Sequence, residues 1–192
     1  MKSLALAIRL ALVLVAAAAI TGCGVGSIAP LVSDADTQYD AKLVGTWRDS
    51  SSNETVVITE ASPHRYAFVF TDSDGKVGHF QGVLGRWGAL RVVDVEPEDL
   101  PSSMNDEYRS LLLPLHAPVF VDAVEPVLRF RLLQVDSLRN YLERQPRAVA
   151  HVMRDDAVVF TAPTAELQRF LVGYVARKGA LGEPNVLVRR AP

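Results

Sequence analysis

The chain has 192 residues, with 20 basic and 22 acidic side chains and a formal charge of −2. It carries no basic stripe, which argues against a nucleic-acid partner, and its single cysteine excludes an intramolecular disulfide. No internal repeat or low-complexity tract divides it, and its length suits one domain with an adequate core.

The first 22 residues have the layout of a secretory signal. Lys2 and Arg9 give a positive start, and Leu10 to Ile20 is an uncharged apolar run. That run is too short to cross ~30 Å of hydrocarbon as a mature helix. Small residues follow, and the stretch ends Ile20-Thr21-Gly22-Cys23. These four residues resemble the lipobox of bacterial lipoproteins. The resemblance implies cleavage before Cys23 and lipidation of its thiol and new amine. More than one acyl chain, each adding ~0.8 kcal/mol per buried CH₂, would make a stable anchor. Gly24 follows where an aspartate would resemble an inner-membrane retention signal, so the expectation leans towards the outer membrane, with the body facing the periplasm. Removal of residues 1–22 takes away Lys2 and Arg9 and moves the formal charge from −2 to −4. Residues 23–40 read as the lipidated cysteine and a small, polar tether. Residues 41–192 then form a single β-rich domain.

Within that domain, Thr55 to Thr59 alternates in the β-branched manner of a strand, and Arg65 to Phe70 alternates with Tyr66, Phe68 and Phe70 on one face. Asp72-Ser73-Asp74-Gly75 is a hairpin turn signal, with Gly75 free to take a positive φ. Lys76 to Leu84 returns as the partner strand, Gly85 to Gly88 reads as a turn, and Ala89 to Val95 as another strand. Strands joined this tightly make an antiparallel meander. Residues 96–114 are looser, with a helical turn near Tyr108 to Leu112. His116 to Val124 and Val127 to Leu133 follow as strands, with Pro118 favouring the start or edge of the first. A short helix spans 136–145, capped by Asp136 and burying Leu138, Tyr141 and Leu142. Residues 148–153 and 157–161 make a hairpin around Asp155-Asp156.

The clearest helix is 163–178. Leu167, Phe170, Leu171, Tyr174 and Val175 form one apolar stripe, Thr161 stands where a cap would, and Gly179 ends it. Asn185 to Arg190 supplies a last strand. The fold class is mainly β (α+β): an antiparallel curled sheet or small barrel of about eight strands, with the long helix packed on it.

Gly45-Thr46-Trp47 at the first strand of the body resembles the Gly-x-Trp opening of calycin and lipocalin barrels. The resemblance implies that Trp47 plugs one barrel end and that Arg189 or Arg190, near the end of the chain, stacks on it. The order of elements departs from that family, because the long helix precedes the last strand here. The whole chain also resembles uncharacterised bacterial lipoproteins that join a lipobox to a mixed β/α body.

Candidate chemistry is sparse. His64, His79, His116 and His151 are scattered and lack metal-ligand spacing. His116, in the Pro114 to Pro118 bend, is the one most stiffly held. Asp72-x-Asp74-Gly75 opens like an EF-hand loop but lacks the rest of one. Asp94, Glu96, Glu98 and Asp99 read as a solvated loop face. No nucleophile elbow and no phosphate loop is present. The sequence therefore points to no catalytic residue, no metal and no cofactor. The aromatic residues Trp47, Phe68, Phe70 and Trp87 are candidates to line an apolar pocket. The expected function is a non-enzymatic, membrane-anchored envelope lipoprotein that binds a hydrophobic ligand or a partner protein. The alternatives are an accessory or assembly subunit of an envelope complex and, less favoured, a hydrolase. A carboxylate within hydrogen-bond reach of His116 would bring the hydrolase back into contention.

Overall fold

The computed structural model describes residues 24–98 and 104–190. The stretch read as a lipobox, with Cys23, lies outside them, as does Asp99. Eight antiparallel strands close into a barrel. They are β3 (Gly45–Asp49), β4 (Thr55–Ser62), β5 (Arg65–Thr71), β6 (Val77–Trp87), β7 (Leu90–Pro97), β8 (Ala117–Ala123), β9 (Val127–Arg131) and β12 (Asn185–Arg189). Each pairs with the next in chain order, β9 pairs with β12, and β12 pairs with β3 to complete the ring. Closure leaves no open sheet edge in the ring. A two-residue strand, β2 (Thr37–Gln38), adds to β6 outside it.

The meander arises from local signals. Gly75 turns the β5–β6 hairpin at φ 81°, as its sequence suggests. The expected turn at 85–88 is instead strand: β6 continues to Trp87, and the reversal occurs at Gly88-Ala89. The extra residues pair with Leu90 to Val92, so the hairpin gains ladder hydrogen bonds that an earlier turn would forgo.

Between β9 and β12 the chain builds a second layer. It contains α2 (Val135–Arg144), β10 (His151–Arg154), β11 (Ala157–Phe160) and α3 (Thr164–Val175). A short helix α1 (Asp106–Ser110) lies in the β7–β8 connection. The α3 helix is shorter than its stripe suggests: Pro163 rather than Thr161 is its N-cap, and Gly179 lies beyond its end with φ 79°. At α2 the N-cap is Gln134, without a side-chain bond, and Asp136 sits in the first turn.

The stretch 24–40, expected as a tether, is folded into the body. Its strand β1 (Val25–Ser27) pairs in parallel with β11, and residues 24–27 are buried. Leu31 is fully buried and Val32 nearly so. These apolar side chains fill the space between the outer wall of the barrel and the second layer, so their burial offsets the entropy of ordering the segment.

There are two cores. One fills the barrel with Trp47, Ile58, Tyr66, Leu84, Val93 and Leu128, among others. The other lies outside the wall, where Val92, Phe120 and Trp87 meet Val25 and Leu31 of the N-terminal segment, Phe160 of β11 and Leu167 and Leu171 of α3.

Candidate functional site

The strand registers place Trp47, Ile58, Tyr66, Leu84, Val93, Val121, Leu128, Leu187 and Arg189 on the inner face of one half of the barrel. That half is sealed. A 3₁₀ turn, Ala41–Leu43, lies just before β3, with Asp40 accepting from the Lys42 N–H at 3.0 Å. Leu43 is buried, and its carbonyl accepts from the Trp47 indole at 2.8 Å. The Arg189 guanidinium lies 4.2 Å from the Trp47 ring centroid and donates to the carbonyls of Lys42 and Val44 at 2.5 and 2.8 Å. Of the two arginines the sequence offered, the structure brings Arg189 onto Trp47. Gly45 makes this possible: its φ is 148°, and a side chain there would collide with the guanidinium. Tyr39 stacks on Tyr66 at 5.5 Å, and Arg91 reaches Asp40 at 2.7 Å, closing the seal further.

The opposite half is different. By the same registers its inner face carries Val56, Phe68, Phe70, Phe80, Val95, Val119 and Phe130, all only half-buried, together with the polar Asp49 and Asn185. Of the aromatic candidates, Phe68 and Phe70 are on this inner face, and Trp47 is in the sealed half. Trp87 is in neither. It points outward into the second core, edge-on to Phe120 at 6.5 Å, and its indole nitrogen is buried without a hydrogen-bond partner among the described residues. The odd-even alternation along β6 puts it opposite to Leu84, so it belongs to the outer wall.

Sequence reasoning missed a second locus, on the outside of the barrel. Asp94, read as part of a solvated face, is 3 % exposed. One of its carboxylate oxygens accepts from the backbone N–H groups of Leu31 and Val32 at 2.7 and 3.3 Å. The other lies 3.0 Å from His116 Nδ1. His116 Nε2 is 3.7 Å from Glu96, which in turn meets Arg65 at 3.2 Å. The hydrogen bond to Asp94 raises the His116 pKa above its ordinary value, against the opposing effect of burial, and the nearby carboxylate charges add to the rise. A cleft of about 330 Å³ opens beside this group, bordered also by Ser33, Thr37 and Thr164.

This arrangement holds a histidine between two carboxylates. It meets the sequence criterion for reconsidering a hydrolase, since His116 has a carboxylate within hydrogen-bond reach. A nucleophile–base pair, however, needs a hydroxyl at Nε2. The hydroxyls of the cleft are turned to other acceptors: Ser33 to Asp36 at 2.6 Å, Thr37 to the Ser33 carbonyl at 3.1 Å and Thr164 to the Pro30 carbonyl at 2.6 Å. What the group visibly does is bind the N-terminal segment to the wall of the barrel. His151 Nδ1 donates to the Val149 carbonyl at 2.9 Å, and His64 and His79 are exposed on the barrel surface. Among the described residues no group of three metal-ligating side chains converges, and no helix is long and apolar enough to cross a membrane. No protein-family model, no curated protein and no solved structure matches the chain.

Proposed function

We propose that this protein is a non-enzymatic bacterial envelope lipoprotein, anchored through Cys23, whose barrel takes an apolar ligand at its open half. The observation that carries the reading is the contrast between the two halves of the barrel. Trp47, Leu43 and Arg189 seal one end, while Phe68, Phe70, Phe80 and Phe130 stay half-buried at the other. Rings that face inward yet keep contact with solvent leave apolar surface that a small molecule would bury. The Gly-x-Trp strand and its stacked arginine support a calycin-like reading of the same barrel.

The ligand is tested by native mass spectrometry of the full chain, purified from its host membrane in a nonionic detergent and offered oleate. Val119 shares the inner face with these rings, so Val119→Trp fills the space. The wild type is expected to retain one oleate, and Val119→Trp to bind it about tenfold more weakly, the effect of losing ~1.4 kcal/mol. Equal adducts on both proteins would contradict a site in the barrel.

The anchor is tested separately. Cys23→Ala should fold with an unchanged melting temperature but lose incorporation of radiolabelled palmitate. Labelling that persists in the variant would mean that the lipobox is misassigned. Because the body is already folded at Gly24, a lipid on Cys23 would hold it against the bilayer with no spacer.

A second reading, an accessory subunit that docks on a partner protein, draws on a different feature. Tyr108, Leu111 and Leu113, in the β7–β8 connection, are 58, 83 and 61 % exposed. Co-purification of a fixed partner, lost in Leu111→Asp, would favour it.

A further inference from the structure

A second cleft, of about 360 Å³, lies between one face of α2 and the C-terminal turn of α3. Ser137, Asn140, Tyr141 and Arg144 contribute from α2, at the three- and four-residue spacings that share a helix face. Tyr174, Arg177 and Lys178 contribute from α3 and the residues after it. Among the described residues, no carboxylate lines this cleft, and none of its three cations is in an ion pair. Elsewhere on the molecule Lys42, Arg65, Lys76, Arg91, Arg131 and Arg139 each meet an acid, while Arg48, Arg86 and Arg169 bond to neutral acceptors; the cleft differs in gathering three such cations in one concavity.

Part of this charge complements the helix ends. The C-terminal carbonyls of two helices supply about half a negative charge each, which leaves roughly two positive charges uncompensated. The two arginines are also held in place. The Arg177 guanidinium lies 4.9 Å from the Tyr141 ring centroid, and Arg144 Nε donates to the Asn140 carbonyl at 2.8 Å. Each arginine therefore keeps N–H groups free for another acceptor. Two arginine forks and a lysine in one concavity match the oxygens of a phosphate. The side chains of Ser137 and Asn140 offer further polar contacts to a polyol.

We propose that this cleft binds an anionic group of the phosphate-ester class. The proposal does not depend on the apolar site in the barrel. Its test is titration calorimetry of the full chain in nonionic detergent, at constant ionic strength. One arm adds glycerol phosphate. The other adds dihexanoyl phosphatidylglycerol, with dihexanoyl phosphatidylcholine as control. Saturable binding of the first probe assigns a soluble phosphate ester; saturation by phosphatidylglycerol without a response to glycerol phosphate assigns a lipid headgroup. In either case Arg177→Ala with Lys178→Ala should weaken binding about tenfold or more. Arg147→Ala, exposed and outside the cleft, should leave it unchanged. Three results would overturn the proposal: no saturation by either phosphate probe, equal saturation by the two lipids without a response to glycerol phosphate, or a double variant that binds as tightly as the wild type. All three cleft cations are surface side chains, so the melting temperature should confirm that the double variant is folded.

Discussion

Replacing Trp47 by alanine is expected to destabilise the fold by about 3–5 kcal/mol, the range for deleting a fully buried large aromatic side chain. Trp47 has no solvent exposure and lies at the centre of the sealed half of the barrel. Its loss removes packing against Leu43 and its neighbours and leaves the Leu43 carbonyl without its indole donor. It also removes the stacked partner of Arg189, a contact worth ~0.5–2 kcal/mol. Urea denaturation followed by far-ultraviolet circular dichroism would read the change as a lower midpoint at an unchanged slope. Arg189→Ala should cost less, about 1–2 kcal/mol, because it removes the stacking and two hydrogen bonds but leaves the ring buried. If both variants matched the wild type, the seal would have no role in stability.

The second large effect is expected at Asp94. Asp94→Ala should cost about 3–5 kcal/mol, because several buried donors each lose their acceptor at ~1–3 kcal/mol. For a body of this size that lowers the melting temperature by roughly 10 °C. Three donors lose their acceptor at once: the N–H groups of Leu31 and Val32, and His116. Asp94→Asn should be milder, since an amide oxygen still accepts from the two backbone groups. Hydrogen exchange at Leu31 and Val32 should rise in the alanine variant beyond the change at Thr161, whose N–H bonds to Ala150 and not to that segment, because the N-terminal segment is released first.

The same contact predicts a dependence on pH. The His116 pKa is raised in the folded state, chiefly by its hydrogen bond to Asp94. Below the unfolded value of about 6.5 both states carry the proton, and the full stabilisation is present. As pH rises towards and through the folded value, the unfolded state loses its proton first, so stability falls. His116→Gln should flatten this slope. An equal slope in both proteins would place the titration elsewhere.

The two halves of the molecule were not equally legible in the sequence. The alternation Tyr66, Phe68, Phe70 and the stripe Leu167 to Val175 report their elements directly, because a single period decides which face is buried. The pairing of Trp47 with a late arginine was legible through the Gly-x-Trp resemblance, although Arg189 and Arg190 could be separated only by strand register. Asp94 was opaque for a physical reason. Its neighbours Val93 and Val95 face into the barrel, so Asp94 faces out, and the outer wall of a barrel is ordinarily wet. It is dry here because the segment around Leu31, more than sixty residues earlier in the chain, lies across it. That segment has no period of its own and resembles a linker until its partner is known. Trp87 was misplaced by the same blindness to the second layer: an aromatic residue near glycines reads as a turn, whereas the outer core requires the strand to continue.

On the proposed function the barrel, sealed by Trp47, admits an apolar guest past Phe68 and Phe130. Native mass spectrometry of the full chain with oleate, wild type beside Val119→Trp, tests it most directly. A single retained oleate is expected in the wild type and is strongly depleted in Val119→Trp, with both proteins folded. Identical oleate occupancy in the two proteins, or none in the wild type, would contradict it.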